Sequence, residues 1–278
     1  MRKVLLYIVY GENKGYYFGA KFSFLTFMNW ILETDPVEIV ILTEYPNEFN
    51  SYPVKVFPMS PEQKNEWSCN GKYHFRIKNR GMAYVMDQLG LTEQDKILFL
   101  DTDTYFNKSP LPLFDLIQKD EALFYLNEGY IYQRKRFQVY VNHLENKSIQ
   151  IDNDVYKLSR ESVMWGSLMV GIMPNMRPSL DWADKLLRVF IDMVPAHTIE
   201  PFSLAESLLR KYKINEGKKY VSLYSTSRKK EHAIPIIAKF LKDCKEFTIE
   251  KQIRLAQKVV IKRNIYKVIK QRVLHLFR

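Results

Sequence analysis

Cysteine is scarce in this chain: two in 278 residues, Cys69 and Cys244, with no C-x-x-C pair. That excludes a disulfide framework and a thiolate zinc site, and it suits a reducing compartment. Glycine is sparse as well, at ten residues. None of them build a G-x-x-x-x-G-K loop, so ATP-type phosphoryl transfer has no motif to rest on. No apolar run reaches the roughly 18 residues that a membrane span needs. The opening "MRKVLLYIVYG" has a basic start and a short apolar run, but no small-residue cleavage site follows. It reads as a first strand rather than a leader. Internal repeats and low-complexity segments are missing too.

What is there is a core. Hydrophobic residues make up 46% of the chain, enough for one domain of generous size, or one domain with an appendage. The net charge of +11 is uneven, with +8 in residues 249–278 and +3 in all the rest. Over the same stretch Ile249, Ile253, Val260, Ile261, Ile265, Val268, Ile269, Val273, Leu276 and Phe277 recur at spacings near three and four. This predicts a basic amphipathic helix in a tail, residues 246–278, attached to a domain of residues 1–245. Such a helix is expected to lie on an anionic membrane surface, peripheral at the inner face and on the cytoplasmic side. The alternative is a C-terminal helix packed on the domain with its basic face in water. A nucleic-acid partner is not expected, because no basic face extends into the domain.

The first half alternates strand and helix. "KVLLYIVY", "VEIVILTEY", "VKVFPM" and "KILFLD" read as strands, and "GAKFSFLTFMNWIL" and "FRIKNRGMAYVMDQLGL" as helices, the latter with Gly90 near its end. That order predicts an α/β fold with a mixed, mainly parallel sheet flanked by helices. Farther on, "EALFYLNEGYIY" and "SVMWGSLMVGIMP" are strand candidates. "SLDWADKLLRVFIDMV", with Ser179 and Asp181 at its start, and "PFSLAESLLRKY" are helices. The polar segment 134–160 reads as an inserted loop.

The segment "KILFLDTDTYF" carries the chemistry. A buried strand runs directly into Asp101 and Asp103. In an extended turn, residues i and i+2 point the same way, so both carboxylates can face one hard cation, Mn²⁺ or Mg²⁺. The carboxyl ends of strands in an α/β sheet open into the ligand crevice, where such a cation can meet a diphosphate. Two solvated turn residues are the plain alternative. Haloacid-dehalogenase-like phosphatases also end a strand on D-x-D. They carry it on the first strand and follow it with Thr or Val where Tyr105 stands here, and no later Gly-Asp-x-x-x-Asp pair appears.

The segment resembles the metal-binding D-x-D of the GT-A fold glycosyltransferases that use nucleotide-diphosphate sugars. "FRIKNRGMAYVMDQLG" is similar to their helix bearing Lys and Arg, "MWGSLMVGIMP" to their small-residue strand beside the sugar, and "HTIEPFSLAESLL" to an acidic segment of bacterial members. The resemblance spans about residues 1–245. It implies a Rossmann-like GT-A fold and a metal-dependent glycosyltransferase. The implied donor is a nucleotide-diphosphate sugar, UDP first, and the acceptor a glycan or lipid-linked molecule in bacterial surface-polysaccharide assembly. The alternative function is a GT-A-fold protein that binds a nucleotide or glycan without chemistry. The sequence departs from the pattern at Pro201, where Gln is usual after Glu200, and at Leu223, near the place of a late His.

The donor-binding candidates are Tyr7, Val9, Tyr10, Lys78, Arg80, Asp101, Thr102, Asp103, Gly166 and Ser167. An aromatic at the end of the first strand either stacks on a base or joins the core, and Tyr10 is the favoured one. Lys78 and Arg80 either neutralise a diphosphate or line a solvated helix face. Gly166 interrupts a strand where a ligand can approach closely. Glu200 and Glu206 are the carboxylate candidates for catalysis, with Glu200 preferred. His232 is the candidate third metal ligand beside Asp101 and Asp103.

Overall fold

The computed structural model describes residues 1–261. The chain order is β1 (Lys3–Val9), α1 (Lys14–Met28), β2 (Glu38–Thr43), β3 (Lys55–Pro58), α2 (Pro61–Trp67), α3 (Arg76–Leu89), β4 (Lys96–Leu100), β5 (Thr104–Tyr105) and α4 (Pro112–Asp115). Then come β6 (Glu121–Tyr130), α5 (Gln138–Leu144), β7 (Ile149–Ile151), β8 (Asp154–Tyr156), β9 (Val163–Ile172), α6 (Arg177–Met193) and α7 (Ile199–Leu209). The last described elements are β10 (Lys213–Glu216), β11 (Ser222–Leu223), α8 (Ser227–Asp243) and α9 (Ile249–Ala256).

Seven strands form the central sheet in the order β10-β6-β9-β4-β1-β2-β3. Only β9 runs antiparallel to its neighbours. The expected mixed, mainly parallel sheet flanked by helices is therefore the architecture of the chain. β1 and β4 are buried on both faces along their whole length, which is why they read as continuous apolar runs rather than alternating ones. One face packs on α1, α8 and α9 through residues such as Leu98, Phe24 and Ile237. The other packs on α3, α6 and α7 through Phe99, Met82 and Leu204. α3 stops at Gly90, whose φ of +55° gives the left-handed cap that an L side chain resists. β2 and β3 lie on one side of β1 and β4 on the other. The sheet thus changes direction at β1/β4, and a crevice opens beyond their carboxyl ends.

Three expectations change here. Segment 134–160 is not a loose loop. Phe137 just before α5, Tyr140 of α5, and Ile149 and Tyr156 of the β7–β8 hairpin form a third core with Leu186, Phe190 and Phe202 of α6 and α7. Ser179 does not open α6, which starts at Arg177; Ser179 is buried inside it, and Asp181 pairs with Arg177 at 2.6 Å.

The tail helix is not continuous over the described residues: α9 ends at Ala256. Ala256 and Ile261 are buried in the core that includes Phe27, with Ile253 and Val259 packed beside them. Gln257 Nε2 donates to the Thr26 carbonyl at 2.7 Å. The start of the proposed tail is thus part of the folded domain, and the rest of the basic stretch, 262–278, lies outside the described residues. Among the described residues, no helix is long and apolar enough to cross a membrane.

Candidate active site

The turn after β4 is built from behind. The Asp101 N–H donates to the Leu168 carbonyl at 2.9 Å, extending the β4–β9 ladder by one bond. Thr104 Oγ1 donates to the Asp101 carbonyl at 2.8 Å and meets Ser23 Oγ at 2.8 Å, and Ser23 in turn meets the Tyr7 hydroxyl at 2.8 Å. Tyr7 is therefore a fully buried core residue that braces the turn through two hydroxyls, and Val9 on the same strand face is also core. Both side chains are fully buried in the core rather than exposed at the strand's end as expected.

Beyond the turn, β5 pairs with β11, and the Tyr224 hydroxyl and N–H donate to the Thr102 and Asp103 carbonyls, both at 3.1 Å. Thr102 also sits against Gly19 of α1, where any Cβ would collide with its carbonyl oxygen. Backbone cannot yield as a flexible side chain does. Gly19→Ala is expected to lower stability by about 1–3 kcal/mol and to displace the Asp101–Asp103 turn, although alanine is the better helix former. A denaturant melt checks it; an unchanged or higher midpoint would remove the turn's dependence on this contact.

The carboxylates face two lysines. Lys78 of α3 is buried. Its ammonium donates to the Ser167 carbonyl at 3.0 Å, Ser167 Oγ at 2.8 Å and Glu200 Oε2 at 3.1 Å, and lies 3.9 Å from Asp101 Oδ1. Ser167 Oγ donates to the same Glu200 oxygen at 2.9 Å. Burial works against the Lys78 charge, but Asp101 and Glu200 outweigh it and hold its pKa above the ordinary value. Asp101 is pushed up to about 7, chiefly by burial and by the charges of Asp103 and Glu200, with Lys78 opposing. Glu200 is raised too, by burial, with Lys78 and Ser167 pulling it back. Glu200 is 1% exposed and lies in the first turn of α7, not in a loop; its N–H donates to the Tyr73 hydroxyl at 2.9 Å. Its Oε1 has no hydrogen-bond partner among the described residues. Tyr10, half-buried, belongs to this group: after burial, the charges of Asp101 and Glu200 raise its phenol.

Asp103 meets a second lysine. Its Oδ2 forms an ion pair with Lys230 Nζ of α8 at 2.9 Å, and its buried Oδ1 has no hydrogen-bond partner among the described residues. A cavity of about 310 Å³ lies alongside, lined by Asn13, Tyr16, Thr102, Asp103, Tyr224 and Lys230 among others.

The other candidates are placed elsewhere. Arg80 is two residues from Lys78, about 200° around the helix, and makes no ion pair among the described residues. Gly166 is approached by Glu128, whose Oε1 would lie 3.0 Å from an added Cβ. His232 is not gathered with Asp101 and Asp103; no group of three metal-ligating side chains forms among the described residues, and the ammonium of Lys230 is what meets Asp103.

Glu206 lies apart, accepting from Tyr156 at 2.9 Å and Ser162 at 3.0 Å. Burial pushes its pKa up to about 7. The folded chain then keeps a proton that the unfolded chain loses at lower pH. Stability should fall as pH rises from the ordinary carboxylate range through about 7. Glu206→Gln, which retains an acceptor oxygen, should flatten that slope and gain about 1–3 kcal/mol at pH 8. Urea melts at pH 5 and pH 8 check the sign; equal slopes for both proteins would refute it.

A larger cavity of about 890 Å³ opens between the α2–α3 connection, the β7–β8 hairpin and α6. Its cations are mostly paired already, Lys72 with Asp192, Lys185 with Asp152 and Arg76 with Asp184. It lies away from the carboxylates.

No family model matches the chain, and no curated protein does. Among solved structures, 181 chains match. One is the apo structure of WbbM, a bifunctional glycosyltransferase, aligned with a TM-score of 0.44 and 11% identity over 77% of this chain. The chain spans 38% of that protein's length. A likeness at that level establishes no family.

Proposed function

We propose that the chain is a metal-dependent glycosyltransferase that moves a sugar from a nucleotide-diphosphate donor, UDP first, to a glycan or lipid-linked acceptor of surface-polysaccharide synthesis. The observation that carries this reading is the pair of carboxylates at the β4 end of the sheet's crevice, Asp101 beside the buried Lys78–Ser167–Glu200 cluster and Asp103 lining a cavity.

The donor set suits a hard divalent cation. Asp101 keeps 31% of its side chain exposed, and Asp103 has a buried oxygen with no partner among the described residues. Both are hard oxygen donors, and a diphosphate would supply the rest. Asp101 and Asp103 would hold Mn²⁺ or Mg²⁺, and that ion would neutralise charge growing on the departing nucleoside diphosphate. Lys78 holds a fixed positive charge beside Asp101. Ser167 and Glu200 keep that ammonium aimed, because Glu200 is too buried to take a proton from an acceptor hydroxyl as it stands. In this reading Glu200 is a positioning residue. Tyr10, whose hydroxyl donates to the His74 carbonyl at 3.1 Å, would meet the nucleotide beside Asp101. Residues 262–278 carry six Lys and Arg and no acid, which supports contact with an anionic membrane surface.

Incubation with Mn²⁺ and a panel of sugar nucleotides tests the reading. Slow, metal-dependent donor hydrolysis is expected. Binding without turnover, with a range of acceptors present, would favour a nucleotide- or glycan-binding protein instead.

A further inference from the structure

Asp103 is half-paired in an unusual way. The residue is 7% exposed and lines a cavity, one oxygen is ion-paired with Lys230 Nζ at 2.9 Å, and the other, buried, has no hydrogen-bond partner among the described residues. Lys230 is the more accessible partner, at 39% side-chain exposure. Its four-carbon stem can swing without repacking a core.

Lys230 follows Arg228 and Lys229 in the opening turn of α8, which holds no acid. Three cations at a helix N-terminus stand at the positive end of its dipole, where anions are stabilised and cations are not. Nothing in the fold compensates Arg228 and Lys229 with an ion pair among the described residues. The arrangement is one that an incoming anion would relieve.

We propose that Lys230 is an exchangeable internal cation: it occupies Asp103 until a divalent cation arrives, is displaced from the carboxylate, and then pairs with the nucleotide's diphosphate in the adjoining cavity. This rests on the glycosyltransferase reading above. The physical reason is competition. An ammonium on Oδ2 and a divalent ion on the unpartnered Oδ1 of the same buried carboxylate lie a few ångströms apart and repel each other. The displaced ammonium stays tethered beside the cavity, which Glu231 also lines, and a diphosphate there offers it several charged acceptor oxygens. The exchange also keeps Asp103 from being a buried, uncompensated charge when no ligand is present.

The test is Lys230→Met, which keeps the stem and removes the charge. Two affinities are measured on the full chain: Mn²⁺ alone, from the spin-resonance signal of the free ion, and UDP at saturating Mn²⁺, by calorimetry. The exchange predicts opposite shifts, roughly three- to tenfold tighter Mn²⁺ and three- to tenfold weaker UDP. Lys230→Arg should return both toward wild type, and a melt of each variant identifies any that fails to fold. Two unchanged affinities, or two that fall together, would overturn the exchange while leaving the metal-dependent reading in place. If wild-type protein binds neither Mn²⁺ nor UDP in any combination, the glycosyltransferase reading fails first and the exchange goes with it.

Discussion

Asp103→Asn is expected to cut metal-dependent donor hydrolysis roughly a thousandfold while the chain keeps its fold. The carboxamide has the shape of the carboxylate but not its charge, so a divalent ion loses one of its two protein ligands. Asp103 is buried, so a truncation to Ala would leave a gap beneath Lys230, and Asn is the cleaner variant. The Lys230 ammonium left unpaired is partly exposed and can be hydrated, which limits the stability loss to about 1 kcal/mol. Hydrolysis rates with Mn²⁺, measured beside a circular-dichroism melt, check both halves. A folded variant with an unchanged rate would remove the metal from the mechanism.

The second large effect is on stability. Lys78→Met should destabilise the chain by about 3–5 kcal/mol at pH 8, because Glu200 then remains charged and buried without its partner. Glu200 already sits above the ordinary carboxylate range through burial, and Lys78 is what restrains it. Without Lys78 it should rise further. The folded variant then holds a proton that the unfolded chain has released, so its stability falls as pH climbs from the unfolded carboxylate value through the raised folded one. The penalty should therefore shrink at pH 5.5. Lys78→Met/Glu200→Gln should recover most of the loss. Urea melts at the two pH values decide it; a penalty independent of pH would mean that lost packing rather than charge is responsible.

The sheet was readable because its central strands are buried on both faces. Runs such as "KVLLYIV" and "KILFL" have no polar interruption to mislead, and Gly90 marks a helix end. Asp101 and Asp103 stand out because acids directly after such a run are costly to bury unless a cation meets them. Strand alternation puts Tyr7 and Val9 on the face packed against one core, while Tyr10, past the strand's end, packs beside the other. Glu206 lies six residues after Glu200, about 120° away around α7, and reaches a different neighbourhood.

Helix α8 is not legible in the sequence: its first turn is basic, Pro235 lies inside it and it buries only Ala233 and Ile237. With α8 went Lys230, whose partner Asp103 is far away in sequence. The tail shows the limit of periodicity. Of the expected stripe, Ile253 and Ile261 join the core that contains Phe27, while Val260 is exposed. An apolar face does not say what covers it. Strands β7 and β8 are three residues each, joined by a turn in which Asp152 has φ +52°, too short for alternation to register.

Calorimetry with UDP-, GDP-, CDP- and dTDP-sugars, each with and without Mn²⁺, bears most directly on whether Asp101 and Asp103 serve a nucleotide-sugar enzyme. One base, UDP first, should bind with Mn²⁺ present and lose most of its affinity without it, and Asp103→Asn should show no such dependence. Failure of all four to bind with Mn²⁺, or equal affinity with and without the ion, would contradict it.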